Sequence, residues 1–186
     1  YLPFCRVFMV TDYAITKKQR RDWTVIGVFA LTSTDELYEL ELQRGRWKTY
    51  EIAAHIVGMA KRWKPEVYAG EQGQIHAAVW PVVEKELAKE RIFISVDNTL
   101  VPIVDKETRA RPLQGRTQQR RFFMSFDGQK PDDLDVAEVE MLQFPNATHD
   151  DCVDMRAWAG RLALNLSLPR GEKKAPKREG WRKRLL

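Results

Sequence analysis

Two near-continuous apolar runs, Phe4 to Val10 and Thr24 to Leu31 (TVIGVFAL), constrain this chain more than any other feature. Runs of this length without polar alternation are what strands buried on both faces need, so both are read as central strands. A basic connection containing Lys17, Lys18, Arg20 and Arg21 lies between them. Next, Tyr38, Leu40 and Leu42 alternate with Glu39, Glu41 and Gln43, the period of a strand with one wet face, which predicts a third strand nearer an edge.

The period then changes. Ile52, Ile56, Met59, Ala60 and Trp63 fall at helical spacing, and Pro65 ends that helix before a short fourth strand around Glu66 to Ala69. Ile75, Val79, Val82, Val83 and Leu87 mark a second amphipathic helix, and Ile92, Phe93, Ile94 and Val96 a fifth strand. Residues 104 to 120 are polar and Arg-rich, Phe122 to Phe126 read as a short strand or hairpin arm, and a last helix begins near His149 with Met155, Trp158, Ala159, Leu162 and Leu166 on one face. Three leading strands followed by alternating helix and strand predict an α/β mixed sheet flanked by helices.

With 186 residues, 44% of them hydrophobic and six tryptophans, the chain is sized for one core. Cys5 and Cys152 are too few for a disulfide framework and lack zinc-site spacing, which points to a reducing, cytosolic setting. No run is long enough to cross a bilayer, so no membrane partner is expected. The start at Tyr1, in apolar sequence without a methionine, suggests a fragment of something longer. The net charge of +5 is unevenly spread: residues 169–186 hold four Lys and four Arg against two Glu, leaving residues 1–168 close to neutral. We therefore divide the chain into a domain, 1–168, and a basic flexible tail, 169–186, that is either a solvated terminus or an arm for phosphates.

Asp12 follows the apolar VFMV run, at the carboxyl end of a central strand, where α/β sheets usually present their chemistry. Glu71 takes the equivalent place after the fourth strand, between Gly70 and Gly73. In HDDCVD, Asp150, Asp151 and Asp154 cluster at the start of the last helix. Singly, each has an ordinary explanation: a turn opener, a first-turn acid, a helix cap. Together they point elsewhere. Carboxylates ~4 Å apart repel by roughly 4 kcal/mol at an effective dielectric of 20, so converging acids need protons or cations. Hard Mg²⁺ or Mn²⁺ suits oxygen donors, and two such ions suit phosphodiester hydrolysis.

An Asp ending the first strand, a Glu ending the fourth, and the stretch VEMLQFPNATHDDCVDMRAWA resemble the nuclease domain of phage terminase large subunits, over about Phe4 to Leu166. The resemblance implies an RNase H-like fold and two-metal cleavage of concatemeric viral double-stranded DNA during genome packaging. It makes Asp12 the first-strand metal ligand, Glu71 the second acid, and Asp150 or Asp151 the third, with Asp154 in support; His149, beside Asp150, read on its own, either orients a carboxylate or sits near the metals, or is a capping neighbour. It further implies an ATPase domain on the same full-length chain, a small terminase subunit and a portal as partners, and action in the host cell cytoplasm. The chain has no GxxxxGK[ST] phosphate loop, so no ATPase activity is assigned to these residues.

Arg109, Arg111, Arg116, Arg120 and Arg121, like Lys17, Lys18, Arg20 and Arg21, either contact DNA phosphates or belong to a solvated surface with packed Arg stems. His55 and His76 read as structural or exposed, and Cys152 has no partners for thiol chemistry. Two alternatives stand beside the packaging endonuclease: another RNase H-like nuclease, such as a junction resolvase or RNA:DNA hybrid hydrolase, and a non-catalytic DNA-binding or assembly module.

Overall fold

The computed structural model describes residues 4–14, 23–126 and 131–166. The basic connection with Lys17, Lys18, Arg20 and Arg21 and the tail 169–186 lie outside these. The apolar runs form β1 (Cys5–Asp12) and β2 (Thr24–Thr32), followed by β3 (Leu37–Gly45), α1 (Thr49–Trp63), β4 (Val67–Gly70), α2 (Gln74–Lys89), β5 (Ser95–Asp97), α3 (Lys106–Gln118), β6 (Phe122–Met124), α4 (Asp132–Gln143) and α5 (Asp151–Asn165). The six strands form one sheet ordered β5-β4-β1-β2-β3-β6, with β1, β2 and β3 antiparallel and the β4, β5 and β6 pairings parallel. The fold is the expected mixed α/β sheet with its two apolar strands at the centre.

Both faces are covered. Phe8, Val10, Val25, Phe29 and Ala69 face α5, where Met155, Trp158 and Leu162 complete one core. Met9, Ile26, Val28 and Tyr68 face α1 and α2 and form the other, with Ile52, Ile56 and Val79. This two-sided cover is why β1 and β2 show no polar alternation. Gly27 lets α5 approach, since a Cβ there would lie 2.6 Å from Met155 Sδ.

Two expectations are corrected. The wet face assigned to Glu39, Glu41 and Gln43 does not exist as such, because the register between β2 and β3 shifts between Val28 and Phe29, with Leu40 as the extra residue. A one-residue bulge inverts the alternation beyond it. Glu39 therefore shares the α5 face with Leu37 and Leu42 and is fully buried, whereas Glu41 and Gln43 meet Arg62 and His55 of α1. The fifth strand also starts later than Ile92. The Ile92 N–H bonds to Leu87 O, which holds it in the turn ending α2, and pairing with β4 begins only at Ser95, opposite Val67. Phe93 is 90% exposed.

The polar stretch 104–120 contains a full helix, α3, whose N-cap Asp105 accepts a hydrogen bond from the Thr108 N–H. It packs on α5 so closely that a Cβ at Gly160 would lie 3.0 Å from the Leu113 backbone nitrogen. Among the described residues, no helix is long and apolar enough to cross a membrane.

Candidate active site

The parallel register of β1 and β4 pairs Thr11 with Gly70, so Asp12 and Glu71 are the next residues across, and the Glu71 N–H donates to Thr11 O at 3.1 Å. Strand alternation sets their direction. Asp12 follows Val10, and Glu71 follows Ala69, on the face that meets α5. The first turn of α5 brings Asp151 and Asp154 to the same place, and the Trp158 indole N–H, one turn further, donates to Glu71 Oε2 at 2.6 Å. Three segments far apart in sequence thus place their acids at the carboxyl end of the β1–β4 pair.

Asp12 feels the charge of these acids. Burial, followed by the carboxylates of Glu71, Asp154 and Asp151, pushes the Asp12 carboxyl well above the usual carboxylate range, against an opposing pull from Arg109. Asp151 is held on its other side by the Trp23 backbone N–H, at 3.2 Å from Oδ2.

Two cations from α3 enter the cluster: Lys106, which sequence reading did not single out, and Arg109, which it read as a DNA-phosphate contact or a solvated-surface residue and which is instead buried against Asp154. Lys106 Nζ bridges Asp150 Oδ1 at 2.9 Å and Asp154 Oδ2 at 2.6 Å. Burial pulls the Lys106 ammonium down, but the hydrogen bonds it donates to Asp154 and Asp150 more than reverse this and leave it above its ordinary value. Arg109 donates to Asp154 Oδ1 at 2.9 Å, lies 3.6 Å from Glu71 Oε2, and stacks over the Trp158 ring at 4.4 Å. Lys106 and Arg109 are three apart, so one helix face presents both. No local motif marks Lys106; its role depends on where α3 crosses α5.

The remaining basic residues divide. Arg116 is buried and donates to Asp35 O and Oδ1 at 2.7 and 2.8 Å, and Arg121 also reaches Asp35, at 3.5 Å. These two tie the end of α3 to the turn between β2 and β3. Arg111 and Arg120 are exposed. His149 is half-buried just before the acids of α5, His76 is buried under Trp80, and His55 stacks on Trp47. Burial, with the Glu140 carboxylate beside it, raises the Cys152 thiol.

Among the described residues, no three His, Cys, Asp or Glu side chains are gathered closely enough to hold a metal ion. The positive charge in the cluster comes from α3, which bridges its acids. The donor set itself consists of carboxylates, the oxygen ligands hard divalent cations prefer.

No protein-family model and no curated relative matches the sequence. Solved structures do match in fold. The human cytomegalovirus terminase nuclease domain is similar with a TM-score of 0.66 at 14% identity, over 84% of this chain and 82% of that one. The large terminase nuclease of thermophilic phage G20c with bound magnesium gives 0.60 at 15% identity, over 87% and 83%. The fowlpox virus Holliday junction resolvase gives 0.53 at 10% identity, over 87% and 99%. This chain has the RNase H-like fold that terminase nuclease domains and junction resolvases share.

Proposed function

We propose that this domain is a divalent-metal-dependent endonuclease for double-stranded DNA, cutting concatemeric viral DNA during packaging. The observation that carries it is the placement of Asp12 and Glu71 side by side at two strand ends, with Asp151 in the first turn of the helix that packs on that face, in a fold that terminase nucleases share. A lone acid at any of these places is ordinary; three about the carboxyl end of one strand pair are not.

Asp12, Glu71 and Asp151 are the residues that would hold Mg²⁺ or Mn²⁺, two ions in all, with Asp150 as the alternative third ligand. Bound ions supply the positive charge that makes water a nucleophile near neutral pH and neutralises the leaving oxygen. The chain's own groups do the rest. The Trp158 indole and the Trp23 N–H orient one oxygen each of Glu71 and Asp151. Lys106 and Arg109 neutralise Asp150 and Asp154. Arg111 and Arg120, exposed on and just after α3, are candidates for phosphate contact, as are the basic residues of 17–21. The packaging reading also brings an ATPase domain on the full-length chain, a small subunit and a portal as partners, in the host cytoplasm.

A second reading, junction resolvase, is favoured by the match over 99% of the fowlpox virus enzyme. Supercoiled plasmid, a four-way junction and an RNA:DNA hybrid, each offered with Mn²⁺, Mg²⁺ or EDTA, separate the possibilities. Plasmid nicking with either ion, abolished by Asp12→Ala and by Asp151→Ala, is the expected result. Cleavage that survives both substitutions would remove the site, and cleavage of junctions or hybrids alone would remove the packaging role.

A further inference from the structure

The amino end of α5 has to satisfy its first N–H groups, and the residue placed to do so is Asp150, the N-cap. Its carboxylate makes no cap bond. It is turned to Lys106, at 2.9 and 3.0 Å. The bond comes from elsewhere: the Cys152 N–H donates to Oε2 of Glu140, on α4, at 2.9 Å. Glu140 is only 4% exposed, and its other oxygen accepts from Arg44 at 3.3 Å. The Arg44 guanidinium lies over the Trp23 ring, 4.7 Å from its centre, and the Trp23 N–H holds Asp151.

Resting on the metal-nuclease reading of the site, we propose that Glu140 is a positioning residue that caps α5 in place of Asp150 and thereby fixes Asp151 toward Asp12 and Glu71. The cap grips the peptide next to Asp151. Through Arg44 and Trp23, the same carboxylate is linked to the bond on Asp151's own side chain. A carboxylate is the group that suits this position, because the helix amino end favours negative charge and Arg44 offsets the burial of Glu140. Asp150 and Asp151 are thus released from capping, which answers the ordinary explanation of HDDCVD as a helix start. Loss of the cap would let the first turn fray, and displacement of about 1 Å in such a site can cost about a hundredfold in rate.

The test compares wild type with Glu140→Gln, Glu140→Ala and Glu140→Met. Gln keeps an oxygen for the Cys152 N–H; Ala and Met do not, and Met keeps the volume in case Ala fails to fold. Mn²⁺ affinity is read by electron paramagnetic resonance, amide exchange at Cys152 by NMR, and plasmid nicking as separate kcat and KM. We expect Ala and Met to speed exchange, weaken Mn²⁺ binding about tenfold and lower kcat with little change in KM, and Gln to restore most of both. Faster exchange with Mn²⁺ affinity and kcat at wild-type levels overturns the proposal, as does Gln no better than Met. If wild type itself binds no Mn²⁺, the nuclease reading fails first and this proposal falls with it.

Discussion

Arg156 and Glu39 form an ion pair in which neither side chain is exposed to solvent, and it ties the helix bearing Asp151 and Asp154 to β3. Arg156 Nε and Nη2 donate to the two Glu39 oxygens at 3.0 and 2.7 Å, and Nη1 donates to Ala137 O at 2.7 Å. Arg156→Met keeps an apolar stem but strips Glu39 of both donors while leaving it buried. Breaking one side of such a pair costs about 3–5 kcal/mol, a large share of a typical domain's 5–15 kcal/mol. At a slope of about 2 kcal/mol/M, the urea midpoint should fall by about 2 M. Glu39→Leu combined with Arg156→Met removes both charges together. Because desolvation roughly offsets attraction in buried pairs, this double variant should recover to within about 1–2 kcal/mol of wild type. Urea unfolding followed by tryptophan fluorescence in EDTA measures all three proteins. A single variant that loses under about 1 kcal/mol, or a double variant as weak as the single, would show that the pair is not an isolated buried charge couple.

Asp12→Asn tests the crowding of acids. A carboxyl whose folded pKa is raised contributes no penalty while protonated, but destabilises the fold as pH rises from the unfolded carboxyl range through the raised value. In EDTA, wild type should therefore lose stability over that rise while Asp12→Asn does not, and the variant should melt higher at pH 7, by about 2–4 °C per kcal/mol relieved. Mn²⁺ should reverse the order, and equal melting curves in EDTA at every pH would refute the crowding. Gly160→Ala would press a methyl against the Leu113 backbone; overpacking of about 1–3 kcal/mol should outweigh the gain of about 1 kcal/mol in helix propensity. It should lower the melting temperature, and a rise would mean that α3 gives way freely.

The arrangement of the sheet was legible in the chain because burial writes itself into local pattern. A strand covered on both faces must be apolar throughout, which exposed β1 and β2, and helical spacing exposed α1, α2 and α5. The same logic placed Asp12 and Glu71 at strand ends. Pattern failed where partners from distant sequence replaced water. Glu39 is polar yet fully buried, because a bulge at Leu40 and Arg156 from a helix over a hundred residues away make the position tolerable.

What the sequence by itself determined is β1 to β4, α1, α2 and α5 and the places of the acids along them, since both follow from residues adjacent in the chain. Only the tertiary structure decided what each of the neighbouring acids touches. Asp150 is paired with Lys106, Asp151 is held by Trp23, and the α5 cap passes to Glu140. The physical reason is that a hydrogen bond or ion pair needs atoms about 3 Å apart, a distance set by how α3, α4 and the sheet pack on α5 and not by spacing along the chain.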